Sequence, residues 1–162
     1  MAKDNFPVTP AMRVLRAHGV TFTDHPYDYE DRGGTAVSAR ELGVDEHAVV
    51  KTLIMEDDSK RPLVVLMHGD LMVSTKELAR AIKVKTISPC APDTANRHSG
   101  YMVGGTSPFA TKKPMPIFVE RSILDLDRIC INGGRRGFLV ELAPSALSAS
   151  LGATPVDVAQ ER

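Results

Sequence analysis

Two apolar, β-branched runs, VVKTLIM over residues 49–55 and PLVVLMH over 62–68, are joined only by the turn-rich EDDSKR. β-Branched side chains pack well on a pleated surface, and two such runs across a short polar connection predict an antiparallel hairpin. Strands this evenly apolar need cover on both faces, which puts the hairpin at the centre of a sheet. The rest of the chain must then supply flanking strands and the helices that cover them.

Those elements are legible on either side. TPAMRVLRAHG has Thr9 to cap a helix, Pro10 at its first position, a stripe through Ala11, Val14 and Leu15, and Gly19 as its stop. VTFTDH reads as a strand as far as His25, where Pro26 turns it into a loop or an edge. TAVSARELG reads as a second short helix ended by Gly43, and Asp45 caps a further turn. Ser74 with Glu77 three residues on predicts a helix through KELARAI to about Lys83. VKTIS is a brief strand and APDTANRHSG holds one more helix. YMVGG, PIFVER, RICING and GFLVEL read as strands, and PSALSASLG as a closing helix. Helices early and late, with strand following strand in the second half, predict an α+β fold with a mixed or antiparallel, partly rolled sheet. With 162 residues and no repeat or linker, residues 1–162 are read as a single domain.

Charge narrows the partners. Twenty Lys+Arg balance twenty Asp+Glu, which argues against a polybasic surface that attracts phosphate everywhere; DNA is not an expected partner, and any nucleic-acid contact is a local patch. No stretch approaches the roughly 20 apolar residues of a membrane span, and MAKDNFPVTP lacks the apolar centre of a secretion signal, so a cytoplasmic protein without a membrane partner is expected. Cys90 and Cys130 are too few for a disulfide framework and are read as free thiols. His18, His25, His47, His68 and His98 show no ligand spacing, so neither a metal nor a cofactor is expected.

Four features could carry chemistry. Lys51 shares a strand face with Val49, Leu53 and Met55 on a two-residue period. It is either an edge or snorkelling lysine, or a desolvated amine available as a donor, base or nucleophile. Gly104-Gly105-Thr106-Ser107-Pro108 is either an ordinary turn or a loop whose free N–H groups cradle an oxyanion; it is neither a Walker loop nor a nucleophile elbow. Asn132-Gly133-Gly134-Arg135-Arg136-Gly137 is a hairpin signal, and its two arginines, with Lys112 and Lys113, could form a basic rim for phosphates. Tyr27 is either a pocket hydroxyl or a half-buried strand aromatic. No Ser-His-Asp set, carboxylate pair or Cys-His spacing is present.

Taken together and in order, TPAMRVL, HPYDYE, VVKTL, GYMVGGTSPF and INGGRRG resemble the YbaK/prolyl-tRNA-synthetase-associated editing family, and within it the free-standing bacterial Cys-tRNA(Pro) deacylase branch. The resemblance spans roughly residues 8–160. It implies a mixed, mostly antiparallel barrel-like sheet flanked by short helices, and a pocket for the aminoacylated 3′ end of tRNA. It makes Lys51 the family's strand lysine, Gly104 to Pro108 its loop, Tyr27 its pocket tyrosine, and Gly133 and Gly134 its glycine hairpin. Asn132 stands where the family has Ser, and Leu139 where it has Asp. The implied reaction cleaves the ester of mischarged Cys-tRNA(Pro), the substrate thiol attacking its own carbonyl; Lys51 holds the adenosine or aminoacyl group, and N–H groups of residues 104–107 hold the carbonyl oxygen. Prolyl-tRNA synthetase is the implied partner in a transient complex with tRNA. Two other readings stay open: a tRNA-binding module without activity, and an editing enzyme for another amino acid such as alanine.

Overall fold

A computed structural model describes residues 8–162, so MAKDNFP, most of the stretch read for a secretion signal, lies outside the described residues. Helix α1 (Pro10–Ala17) begins where expected. Thr9 accepts from Met12 N–H and its hydroxyl donates to the Gly133 carbonyl at 2.6 Å, so one side chain both caps the helix and clamps a hairpin 124 residues away. Thr9→Ala removes both contacts. A lowering of stability by about 1–2 kcal/mol is expected in urea unfolding, with an unchanged m-value.

Edge strand β1 (Thr23–Pro26) leads to α2 (Gly34–Leu42), which ends on left-handed Gly43, and to a 3-10 turn (Glu46–Ala48) capped by Asp45. Strands β2 (Val49–Asp57) and β3 (Pro62–His68) form the expected antiparallel hairpin. Strand β4 (Leu71–Val73) runs into α3 (Thr75–Ile82), whose Ser74 cap accepts from Glu77 N–H. Then come β5 (Ile87–Pro89), α4 (Pro92–Ser99), β6 (Ile117–Glu120), a second 3-10 turn (Arg121–Asp125), β7 (Ile129–Arg135) and β8 (Phe138–Leu142). Helix α5 (Ser145–Leu151), β9 (Thr154–Val156) and β10 (Ala159–Glu161) finish the chain.

The main sheet runs β1-β8-β7-β2-β3-β6-β9, with β5 added to β2. The hairpin is at its centre. Every residue of β3 is buried, and alternation sends Val64 and Leu66 into one core with Leu15, Phe109 and Ile131, while Leu63, Val65 and Met67 enter another with Leu78 and Val158. β2 pairs antiparallel with β3 and β5 but parallel with β7, so the sheet is mixed. It is also open, because β1 and β9 end the path without meeting.

Two local readings change. YMVGG is a loop: Tyr101 turns inward, its hydroxyl donating to the Phe109 carbonyl at 2.6 Å, while Met102 and Val103 are left exposed. The ribbon of β4 with β10 was absent from the sequence reading, because each strand is three residues long and the two are far apart in the chain.

Candidate active site

β2 changes neighbours along its outer edge. β7 pairs with it only at Val49 and Val50, and β5 only from Met55 to Asp57. The space between those two ladders opens into a cavity of about 1030 Å³ whose lining includes residues 49–55 in full. Tyr27 and residues 29–38, the β4–α3 corner, Val103, Gly104 and Thr106, the glycine hairpin, the segment after β5 and the C-terminal ribbon supply further walls.

Lys51 is half-buried, and its Nζ has one long contact, 3.5 Å to the Gly69 carbonyl. Burial lowers its pKa and the nearby Arg162 lowers it further, while Glu46 and Asp70 act the other way. Around it the groups are tied to one another. Thr35 Oγ1 lies 2.8 Å from Glu46 Oε2 and 3.1 Å from the Gly69 carbonyl, and Arg162 Nη2 is 3.3 Å from Glu46 Oε1. Gly69 permits this closeness, since a Cβ there would meet Thr35 Oγ1 at 2.7 Å. A reaction that needs the Lys51 ammonium will lose rate as pH rises through this depressed pKa, below the ordinary lysine value of about 10.4. Arg162→Ala removes a repelling cation, so the alkaline limb of the pH–rate profile is expected to move to higher pH; a limb that stays in place would separate Arg162 from Lys51.

The glycine loop and the glycine hairpin form one wall. A Cβ on Gly105 would meet Arg136 N at 2.7 Å, so the two backbones are in direct contact. Asn132 Nδ2 donates to the Gly104 carbonyl at 3.2 Å, while Asn132 Oδ1 accepts from Gly134 and Arg135 N–H across the irregularity in the β7–β8 register. Arg136 Nε donates to the Val103 carbonyl at 3.0 Å, and its guanidinium lies 5.2 Å from the Tyr29 ring centroid. These contacts give Arg136 a cation–π platform at the cavity mouth rather than a purely solvated charge.

Of the residues singled out from sequence, Lys51, Tyr27, Gly104, Thr106, Asn132 and Arg136 line the cavity. Gly105 N–H is committed to the Met102 carbonyl at 2.7 Å; Ser107 and Pro108 are buried behind the wall. Gly133, Gly134 and Arg135 lie outside the lining, in the hairpin that supports it. Tyr27 is half-buried, and its hydroxyl pKa is raised by burial and then by Tyr29. Leu139 is buried on β8 and faces the cavity with Val49. Cys90 also lines it, but burial and a contact with Glu56 push its thiol up to about 11; burial does the same to Cys130. A thiol held that high is a poor nucleophile near neutral pH.

One cluster was missed. His47, His68 and Asp70 bring ligand-type atoms within 4.8 Å of one another, with the two rings stacked at 3.8 Å. The hairpin register does this, because it sets Val50 opposite His68 and so joins the residues flanking its open end. Wholly buried His68 bonds the His47 carbonyl through Nδ1 and Ser122 Oγ through Nε2, each at 2.7 Å, and His47 Nδ1 bonds Asp70 at 2.9 Å. These nitrogens are already engaged, so the trio holds the end of the hairpin together.

A family model described as an aminoacyl-tRNA editing domain matches residues 31–149, which take in β2, the glycine loop and the glycine hairpin. The chain belongs to that family. It is 29% identical over 140 residues to EbsC of Enterococcus faecalis, a protein provisionally named a Cys-tRNA(Pro)/Cys-tRNA(Cys) deacylase, covering 86% of this chain and 85% of that one. A solved structure described as a hypothetical protein is similar at TM-score 0.85 and 26% identity, over 93% of this chain and 99% of that one. Another, provisionally described as a trans-editing enzyme for prolyl tRNA synthetase, shares the fold at TM-score 0.80 and 19% identity, over 95% and 99% of the two chains. Among the described residues no helix is long and apolar enough to cross a membrane.

Proposed function

We propose that this protein is an aminoacyl-tRNA deacylase that cleaves the ester of cysteine mischarged on proline tRNA. The observation that carries the reading is Lys51, a half-buried amine with a single long contact, standing in a large cavity within the segment that matches the editing family. The name of EbsC supports the choice of cysteine and of the tRNA.

An aminoacyl ester is already activated, so holding it and stabilising charge on its carbonyl oxygen can suffice without a protein nucleophile. Lys51 holds the 3′-terminal adenosine. The N–H groups of Gly104 and Thr106, two residues that line the cavity, are assigned to the carbonyl oxygen, Gly105 being committed to its own turn. Tyr27 and Leu139 shape the wall, and Arg136 at the mouth suits a phosphate. In the thiol route, the substrate sulfur bonds to the carbonyl carbon, the bond to the ribose oxygen breaks, and the thiol proton goes to that oxygen. The resulting four-membered thiolactone then takes up water. Proline has no thiol and is spared. A transient complex with prolyl-tRNA synthetase would deliver the substrate, since a chain of zero formal charge gains little from tRNA phosphates alone.

Single-turnover assays on Cys-tRNA(Pro), Ala-tRNA(Pro) and Pro-tRNA(Pro) test the reading. Loss of cysteine alone is the expected result and favours the thiol route. Loss of alanine as well would assign attack to water, and retention of all three esters would overturn the reading.

A further inference from the structure

The cavity wall contains a missing rung in the sheet. Val49 accepts from Gly69 N–H and Asp57 N–H donates to the Arg61 carbonyl, so odd residues of β2 turn their peptide groups toward β3. In an antiparallel ladder the next residue turns the other way. The Ile54 carbonyl does so, accepting from Cys90 N–H at 3.1 Å, and Val50 does so toward β7. Thr52 lies between them, where neither β7 nor β5 is paired. Its N–H and C=O therefore face the cavity side by side. Thr52 Oγ1 is buried without a partner, the one such side-chain atom among the described residues. Two backbone groups of a single residue are thus left unpaired at the cavity in an otherwise largely apolar stretch, Val50, Leu53 and Ile54, and a polar group left unsatisfied there costs stability.

The geometry points to the aminoacyl group of the substrate as the missing rung, bound as a one-residue β-strand against Thr52. An α-aminoacyl ester carries an ammonium donor and a carbonyl acceptor on either side of one Cα, as a strand residue does. In a hydrogen-bonded antiparallel pair each residue exchanges both bonds with the other. Thr52 N–H donates to the ester carbonyl oxygen, adding a donor to those of the glycine loop, and the Thr52 carbonyl accepts from the ammonium. The contact recognises any α-amino acid and leaves side-chain discrimination to the remaining walls. It rests on the deacylase reading and specifies which atoms of this chain touch the reacting group.

Cys-tRNA(Pro) and a tRNA(Pro) esterified with 3-mercaptopropionate, which keeps the thiol and lacks the α-amine, separate the possibilities. With the wild type, KM is expected to be about tenfold higher for the desamino substrate, because the ammonium that meets the Thr52 carbonyl is gone. Replacing Thr52 by its α-hydroxy analogue deletes the N–H and keeps the side chain; kcat is expected to fall about 10²–10³-fold on both substrates, the usual loss of one oxyanion donor. Equal KM values of the wild type for the two substrates, or an unaffected kcat in the α-hydroxy variant, would overturn the inference. Failure of the wild type on Cys-tRNA(Pro) would instead overturn the deacylase reading beneath it.

Discussion

Lys51→Ala is expected to slow single-turnover cleavage of Cys-tRNA(Pro) by about 10²-fold, the loss an ester suffers when its adenosine anchor is removed and it sits out of position. The fold should survive. The amine makes only a long contact to the Gly69 carbonyl, so its removal leaves Thr35, Glu46 and Gly69 bonded as before. Circular dichroism and thermal unfolding should match the wild type, and Lys51→Arg should not restore the rate, because a guanidinium is larger and directs its donors differently. Undiminished cleavage by Lys51→Ala would remove Lys51 from the reaction.

Glu120→Ala is expected to cost about 3–5 kcal/mol of stability, because it leaves several buried neutral donors unsatisfied at about 1–3 kcal/mol each. Glu120 is 5% exposed. Its carboxylate accepts from Val158 N–H at 2.8 Å, Ala159 N–H at 3.0 Å, and both the N–H and the hydroxyl of Ser122. Burial pushes its pKa up, but these donors outweigh burial and leave the pKa lowered. A lowered carboxylate pKa contributes stability that is fully present above the unfolded value of about 4.3 and is lost as pH falls through the folded value. Chemical unfolding followed from neutral to acid pH should therefore show Glu120→Gln converging on the wild type at the acid end. Val158 and Ala159 lead into β10, whose ribbon with β4 carries Gln160 and Arg162 along the cavity wall. Loss of Glu120 should reach the site by loosening that ribbon. A stability curve parallel to the wild type at every pH would refute the ionised role.

The hairpin of β2 and β3 was legible because five consecutive apolar residues, Leu63 to Met67, leave a strand little choice but the middle of a sheet. Helix ends were legible wherever a cap was written locally, as at Thr9, Ser74 and Gly43. YMVGG was misread because Tyr, Met and Val carry the same strand preference in a rim loop as in a ladder, and only the inward turn of Tyr101 decides between them. Lys51 stood out by its apolar company, and the cavity gives that oddity a place. Asn132 read as a departure from the family pattern, and its side chain proves to brace both the hairpin and the loop. Thr52 gave no signal, although it lies in the same VVKTL motif. Its exposure to the cavity depends on where two other strands stop pairing, which is a property of register and not of residue type. The His47, His68 and Asp70 cluster could have been found by asking which residues an antiparallel hairpin brings together at its open end.

The most direct measurement is the lifetime of the ester in Cys-tRNA(Pro) with the wild-type protein in excess, followed beside a gel shift of the same charged tRNA. Rapid release of cysteine, with Pro-tRNA(Pro) left intact, is the expected result. Charged tRNA that is bound while its ester decays no faster than in buffer would contradict the enzyme and leave a binding module built on the same fold.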